Sequence, residues 1–170
     1  VGQALSFDGG DDYVNVGTSL DQNGEVSISA WIKTDTVAEG IQEIVANSDN
    51  TGTAIDYLLE INRTAGRLTL LRSSLAVSVT SNTNLSVGVW YHVVGVYDGS
   101  ITYIYVDGKR TTGNSLTAPI SYTGVAAAMY VGQRSSSNFR VNGQIDDVRV
   151  YNYALTATQV QQLFNQGAAI

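Results

Sequence analysis

Gly143-Gln144-Ile145-Asp146-Asp147-Val148-Arg149-Val150-Tyr151-Asn152-Tyr153-Ala154-Leu155 reads as a β-strand that carries two adjacent carboxylates and runs into a short capped helix. A carboxylate pair inside a strand needs a partner, because a charge withdrawn from water is costly unless it is paired. The start of the chain repeats the theme. Leu5-Ser6-Phe7-Asp8-Gly9-Gly10-Asp11-Asp12-Tyr13-Val14 sets three aspartates and two glycines between short apolar-alternating segments. If the first and last strands are neighbours, these acids converge. A hard cation such as Ca²⁺, which takes several oxygen ligands in a flexible shell, would neutralise them.

Composition agrees with a β protein. The 170 residues make one domain, 1–170, large enough for a substantial core. Charged residues are sparse, 17 glycines supply turns, and Tyr, Val, Thr and Ser recur, as in strands rather than helices or disordered tracts. Nine basic against 15 acidic residues give a net charge of −6, which argues against nucleic acid and anionic membrane surfaces as partners. There is no cysteine, so disulfides, thiolate metal sites and cysteine nucleophiles are excluded together. No stretch approaches a membrane span, and the chain opens at Val1 with neither a start Met nor a signal-like segment. A domain tethered within a longer or processed protein is the expectation.

Alternation with period two runs along most of the chain. Val26, Ile28, Ala30 and Ile32 form one face of a strand, and Ser27, Ser29, Trp31 and Lys33 form the other. Further strands are expected at Ile41–Ala46, Ile55–Ile61, Arg67–Arg72, Leu75–Thr80, Tyr91–Tyr97, Ile101–Val106 and Ala128–Gly132, with Asp98-Gly99 and Asp107-Gly108 as reversals. Many short strands at near-regular spacing indicate an all-β, two-sheet antiparallel jelly-roll sandwich. One short C-terminal helix is signalled by a Thr156/Gln159 capping box, a Leu155/Val160 staple and a closing Gly167.

The segments Ala4–Gly9, Asp12–Val14, Val26–Lys33, Trp90–Gly99, Ile104–Gly108 and Gly143–Asn152, in this order and spacing, resemble the laminin-G-like domains of the concanavalin A-like lectin/glucanase superfamily. The resemblance covers essentially the whole chain. It implies two packed antiparallel sheets, one concave, and a Ca²⁺ near the junction of the terminal strands. It also implies frequent use as a carbohydrate-binding or adhesion module of secreted and surface proteins. The side-chain ligands it carries over are Asp8 and Asp146, with Gly10 and Asp12 offering carbonyl oxygen. Asp147 falls on the opposite strand face from Asp146 and is expected to pair with Arg149. The turn-forming alternative is that Asp8 and Asp12 only make Asx-type hydrogen bonds. The resemblance also places His92, the sole histidine, inside the sandwich as a hydrogen-bonding core residue, and puts Trp31 and Trp90 in packing positions.

A sugar site asks for aromatic planes to stack on pyranose C–H faces and for polar groups to read hydroxyls. Asn47, Asp49, Tyr57, Arg72, Arg134, Asn138, Phe139 and Arg140 are the candidates on strands and loops that could rim a concave face, while Tyr103 and Tyr105 are core or platform. The mid-chain arginines would suit carboxylate or sulfate on an acidic polysaccharide. Hydrolases on this scaffold use alternating acids on one strand. Asp56 and Glu60 come nearest, but Leu58 lies between them where a third acid would stand. The expected function is therefore a non-catalytic, extracellular or cell-surface carbohydrate-binding module with a structural calcium. The alternative is a protein-binding or architectural adhesion domain without sugar affinity, and a hydrolase ranks last.

Overall fold

The computed structural model describes residues 3–18, 24–37, 40–49, 55–62, 66–72, 77–111, 128–134 and 139–168. Its strands are β1 (Leu5–Asp8), β2 (Val14–Gly17), β3 (Val26–Thr34), β4 (Gln42–Ser48), β5 (Ile55–Ile61), β6 (Arg67–Arg72), β7 (Val77–Asn84), β8 (Tyr91–Tyr97), β9 (Thr102–Val106), β10 (Lys109–Thr111), β11 (Ala128–Val131) and β12 (Asn142–Tyr151). One helix, α1 (Ala157–Ala168), follows. Among the described residues these make two antiparallel six-stranded sheets, ordered β1-β12-β3-β8-β9-β10 and β2-β11-β4-β5-β6-β7. The expected sandwich is present, and the chain ends meet because β1 pairs with β12.

Alternation decides which side chains fill the space between the sheets. Val26, Ile28, Ala30 and Ile32 of β3, Val93 and Tyr97 of β8 and Ile104 and Val106 of β9 face Tyr57, Leu59 and Ile61 of β5 and Leu68 and Leu70 of β6 in one continuous core. Burying each large aliphatic side chain contributes roughly 1.5–3 kcal/mol. The opposite face of the first sheet carries a smaller cluster, in which Val94, Val96 and Tyr105 receive Leu155 from just before α1 and Val160 from its first turn. Tyr103 packs against the edge of that cluster. Both tyrosines thus serve the docking of α1.

The helix starts as its sequence requires. The Thr156 amide donates to Gln159 Oε1 at 2.8 Å and the Gln159 amide donates to Thr156 Oγ1 at 3.3 Å, a reciprocal capping box. Gly167 does not close it, since α1 continues to Ala168. Its missing side chain has another use: a Cβ there would lie 2.1 Å from Trp31 Nε1, so glycine lets the last turn settle on the indole.

One buried polar joint was not legible in the sequence. The Gln42 side chain, fully withdrawn from solvent, donates through Nε2 to the Thr36 carbonyl at 2.6 Å and to Thr34 Oγ1 at 3.1 Å, and its Oε1 accepts from the Asn142 amide at 3.0 Å. It ties the start of β4 in the second sheet to β3 and β12 in the first. Gln42→Leu removes these bonds and leaves the part-buried Asn142 amide without its acceptor, at ~1–3 kcal/mol for an unsatisfied group, while the Thr36 carbonyl keeps Thr34 Oγ1 as a donor. A loss of about 3 kcal/mol in urea unfolding is expected, and a variant within 0.5 kcal/mol of wild type would refute this role.

Candidate functional site

The register between the terminal strands sorts the acids. Asp8 lies opposite Asn142 and Leu5 opposite Ile145, so Asp146 stands four positions further along the ladder from Asp8, about 13 Å at a strand's rise per residue. The two ligands carried over from the family therefore do not share a locus. Asp8 instead gathers with Asp11 and Asp12, one carboxylate oxygen from each lying within 4.8 Å of the others, all exposed. Asp8 Oδ1 accepts from the Gly10 amide at 2.6 Å, and Asp12 Oδ2 accepts from the Asp8 amide at 3.0 Å. Asp12 thus presents a side-chain oxygen rather than only a carbonyl. Asp11 is the residue that sequence reasoning omitted, although the Asp-Gly-Gly-Asp-Asp turn contained the signal. Beside this loop the ring of Tyr13 is 51% exposed and sits 6.1 Å from that of Tyr130.

The Asp146-Asp147 pair has a different setting. Strict alternation fails here because β12 carries a bulge between Asp146 and Arg149 against β3, with Asp147 at φ +48°. The bulge aims Asp147 at its expected partner: Arg149 Nε donates to Asp147 Oδ1 at 2.8 Å. Asp146 is the cross-strand neighbour of Trp31, which in turn neighbours His92. His92 is not between the sheets. It lies on the outer face of the first sheet beneath α1, with Nε2 2.9 Å from Ser29 Oγ and its ring 6.1 Å from that of Phe164. Burial pushes its pKa down to about 4, an effect opposed by Asp147 and reinforced by Arg149. Trp31 shares the site, its ring 5.9 Å from Phe164 and 5.4 Å from His92. Both residues anchor the helix.

The second sheet brings together two glutamates that the sequence kept apart. Glu43 of β4 stands directly opposite Glu60 of β5, both buried, on the face away from the core. Burial first, and then the neighbouring Glu43 charge, push Glu60 up to about 8, while Arg134 pulls it down. Arg134 reaches Glu43 Oε1 at 3.4 Å with its guanidinium 5.5 Å from the centre of the Phe139 ring, and the Glu43 amide donates to the Phe139 carbonyl at 3.0 Å. The arrangement clips the segment before β12 onto the sheet. Glu60 thus pairs with Glu43 across strands rather than with Asp56 along its own.

The expected sugar-binding residues do not assemble on one surface. Tyr57 and Asn47 are cross-strand partners and both are fully buried; the Tyr57 hydroxyl points to Met129 Sδ at 3.8 Å, inside the core. They are therefore interior residues, which corrects their reading as sugar contacts. Alternation had placed them on the correct strands but could not say which face was inward. Asp49 is half-buried just after β4, and Arg134 and Phe139 belong to the Glu43 clip. Arg140 donates to Gln133 Oε1 at 3.1 Å. Arg72 ends β6 opposite Tyr57, but its side chain, like the whole of Asn138, lies outside the described residues. On the outer face of the second sheet Ala46, Ile55, Leu58 and Leu71 form a buried cluster of their own.

A laminin-G model of the concanavalin A-like lectin/glucanases superfamily matches residues 8–161. The chain belongs to this superfamily. Among solved members of the fold, domain 4 of AbnA, an extracellular arabinanase from Geobacillus stearothermophilus solved with arabinotriose, aligns with a TM-score of 0.75 and 19% identity over 96% of this chain and 77% of that one. The pentraxin of Limulus polyphemus gives 0.73 and 17% over 94% and 80%. A putative carbohydrate-binding protein of Bacteroides ovatus gives 0.68 and 19% over 94% and 46%. A curated relative, the Danio rerio adhesion G-protein coupled receptor V1, is 24% identical over 152 residues, which is 84% of this chain and 2% of the receptor. The lectin/glucanase fold thus has carbohydrate-binding and glycosidase neighbours as well as an adhesion-receptor relative. No described helix is long and apolar enough to cross a membrane.

Proposed function

We propose that this domain is a non-catalytic carbohydrate-binding module of a secreted or surface protein, tethered to other domains, with a calcium ion held at the Asp8/Asp11/Asp12 loop. The observation that carries the reading is the juxtaposition of that exposed triple-carboxylate loop with the exposed ring of Tyr13. Clustered carboxylate oxygens are the donor chemistry of a hard cation, and an aromatic plane suits the C–H face of a sugar. Asp8, Asp11 and Asp12 would supply the side-chain oxygens, with Gly10 offering its carbonyl as the sequence suggests, while the ladder register leaves Asp146 out. A bound Ca²⁺ would pin the loop that follows β1. Solved relatives described as binding carbohydrate support the reading at the level of fold. Hydrolysis is disfavoured because Glu60 and Glu43 are buried against each other and Asp56 is not part of their pair. The adhesion-receptor relative favours a second reading, a protein-binding domain without sugar affinity.

Calcium at a hundred times its Kd should stabilise the fold by about 2.7 kcal/mol, which is roughly 5–10 °C in Tm for a chain of this size. EDTA should reverse the shift and Asp11→Ala should abolish it, without lowering stability in EDTA. A melting curve indifferent to both calcium and chelator would sink the metal. Affinity electrophoresis against plant, algal and animal polysaccharides separates the two readings: retardation supports the sugar-binding module, and none with any glycan supports the adhesion domain.

A further inference from the structure

The outer face of the first sheet is only partly covered. α1 seals the rows built on Val94, Val96, Tyr105, His92 and Trp31. One step further along the strands the register sets Ser6 of β1, Gln144 of β12 and Lys33 of β3 side by side. Trp90, immediately before β8, completes the row, with the Lys33 ammonium 5.8 Å from the centre of its ring. Trp90 is 37% exposed, and Val87 and Val89, in the turn leading to it, are 52% and 45% exposed. Three large apolar side chains left in water within four residues of one turn are unusual for a domain with two apolar clusters on its first sheet, and such patches mark contact surfaces. The position contradicts the core packing that the sequence suggested for Trp90, because its strand has not yet entered the sandwich.

The row has the composition of a saccharide contact. An indole plane offers stacking, Gln144 and Ser6 offer hydrogen-bond donors and acceptors, and Lys33 adds one ammonium that has no carboxylate partner among the described residues. In a chain of net charge −6, a cation poised at an exposed aromatic ring selects an anion. Asp8, Asn142 and Asp35 form the next row along the strands, so the face continues towards the triple-aspartate loop. Trp90 and Asp8 are separated by about three strand spacings and one row, roughly 15 Å, the span of a few sugar rings.

We propose that this open end of the first sheet is the glycan-binding surface, with Trp90 as the stacking platform and Lys33 pairing with the carboxylate of a uronic-acid residue. The inference rests on the carbohydrate-binding reading and assigns its site and ligand class. It differs from the concave-face set expected from the sequence, of which Asn47 and Tyr57 are interior.

The test is a titration with a galacturonic-acid oligomer and a neutral galactose oligomer of equal length, read by tryptophan fluorescence and by affinity electrophoresis. Trp31 lies under Phe164, so an emission change reports Trp90. Wild type should bind the acidic oligomer, more weakly as salt rises. Trp90→Ala should lose at least tenfold in affinity with an unchanged Tm, and Lys33→Gln should bring the acidic oligomer down to the level of the neutral one. Retained wild-type affinity in Trp90→Ala, or a wild-type preference for the neutral oligomer, overturns this site while the carbohydrate-binding reading stands. Failure of the wild type to bind any glycan overturns both.

Discussion

Gly143→Ala should lose about 4 kcal/mol of unfolding free energy, a large share of the ~5–15 kcal/mol that holds a domain together. Gly143 has φ +147°, a backbone conformation that residues with a Cβ occupy only under strain of about 1–3 kcal/mol. The larger effect is steric: a Cβ there would lie 2.2 Å from the Lys33 carbonyl oxygen and 2.9 Å from Thr34 Cα. Both are backbone atoms of β3 and cannot swing aside. The β12–β3 ladder, which seats the C-terminal strand between β1 and β3 of the first sheet, must open at that end. Because Gly143 also pairs with Phe7 of β1, the N-terminal strand is displaced with it. Urea unfolding should show a lower midpoint with unchanged slope, and an alanine variant within 1 kcal/mol of wild type would contradict the close approach.

The pH dependence of stability should have its plateau on the acid side of neutrality, and Glu60→Gln should extend it upward. Glu60 is held protonated to about 8 in the folded state, against 4.5 for the free side chain, so the folded chain retains a proton that the unfolded chain releases. Stability therefore falls as pH rises from about 4.5 to 8, with a slope near 1.4 kcal/mol per pH unit and a total on the order of 5 kcal/mol. His92 acts in the opposite sense. Its folded value of about 4 lies below the free value of 6.5, so stability is lost as pH falls between those limits. The two slopes cancel between about 4.5 and 6.5, and above 6.5 only the glutamate slope remains. Glu43 and Arg134 face Glu60, and Asp147 and Arg149 face His92, so each titration has its charged neighbours in place. Glu60→Gln, neutral at every pH, should match or trail the wild type near pH 5 and exceed it by several kcal/mol at pH 8.5. Parallel wild-type and variant profiles across that range would refute the buried proton.

The fold was legible because its signals are local. Asp107-Gly108, with φ of +49° and +71°, turns β9 into β10 as the dipeptide predicts, and the Thr156/Gln159 box opens α1 where it should. The candidate site was legible only where its residues are close in sequence. Asp8 and Asp12 meet because one turn holds them, whereas Asp146 was joined to them only through the family resemblance, and the strand register, which no local pattern specifies, sets it about 13 Å along the ladder from Asp8. Asn47 and Tyr57 show the same limit. A strand buried on both faces loses its alternating signature, and β4 is buried at every position.

The sequence by itself determined the class of fold, the reversals and the helix cap, since each follows from backbone preference or from period-two burial over a few residues. Only the tertiary structure decided the partners: that Glu43 confronts Glu60, that Gln42 knits the two sheets, that His92 and Trp31 lie under α1, and that Trp90 stays in water. Those outcomes depend on register and on which face of each sheet is covered, and both are set by contacts between residues tens of positions apart.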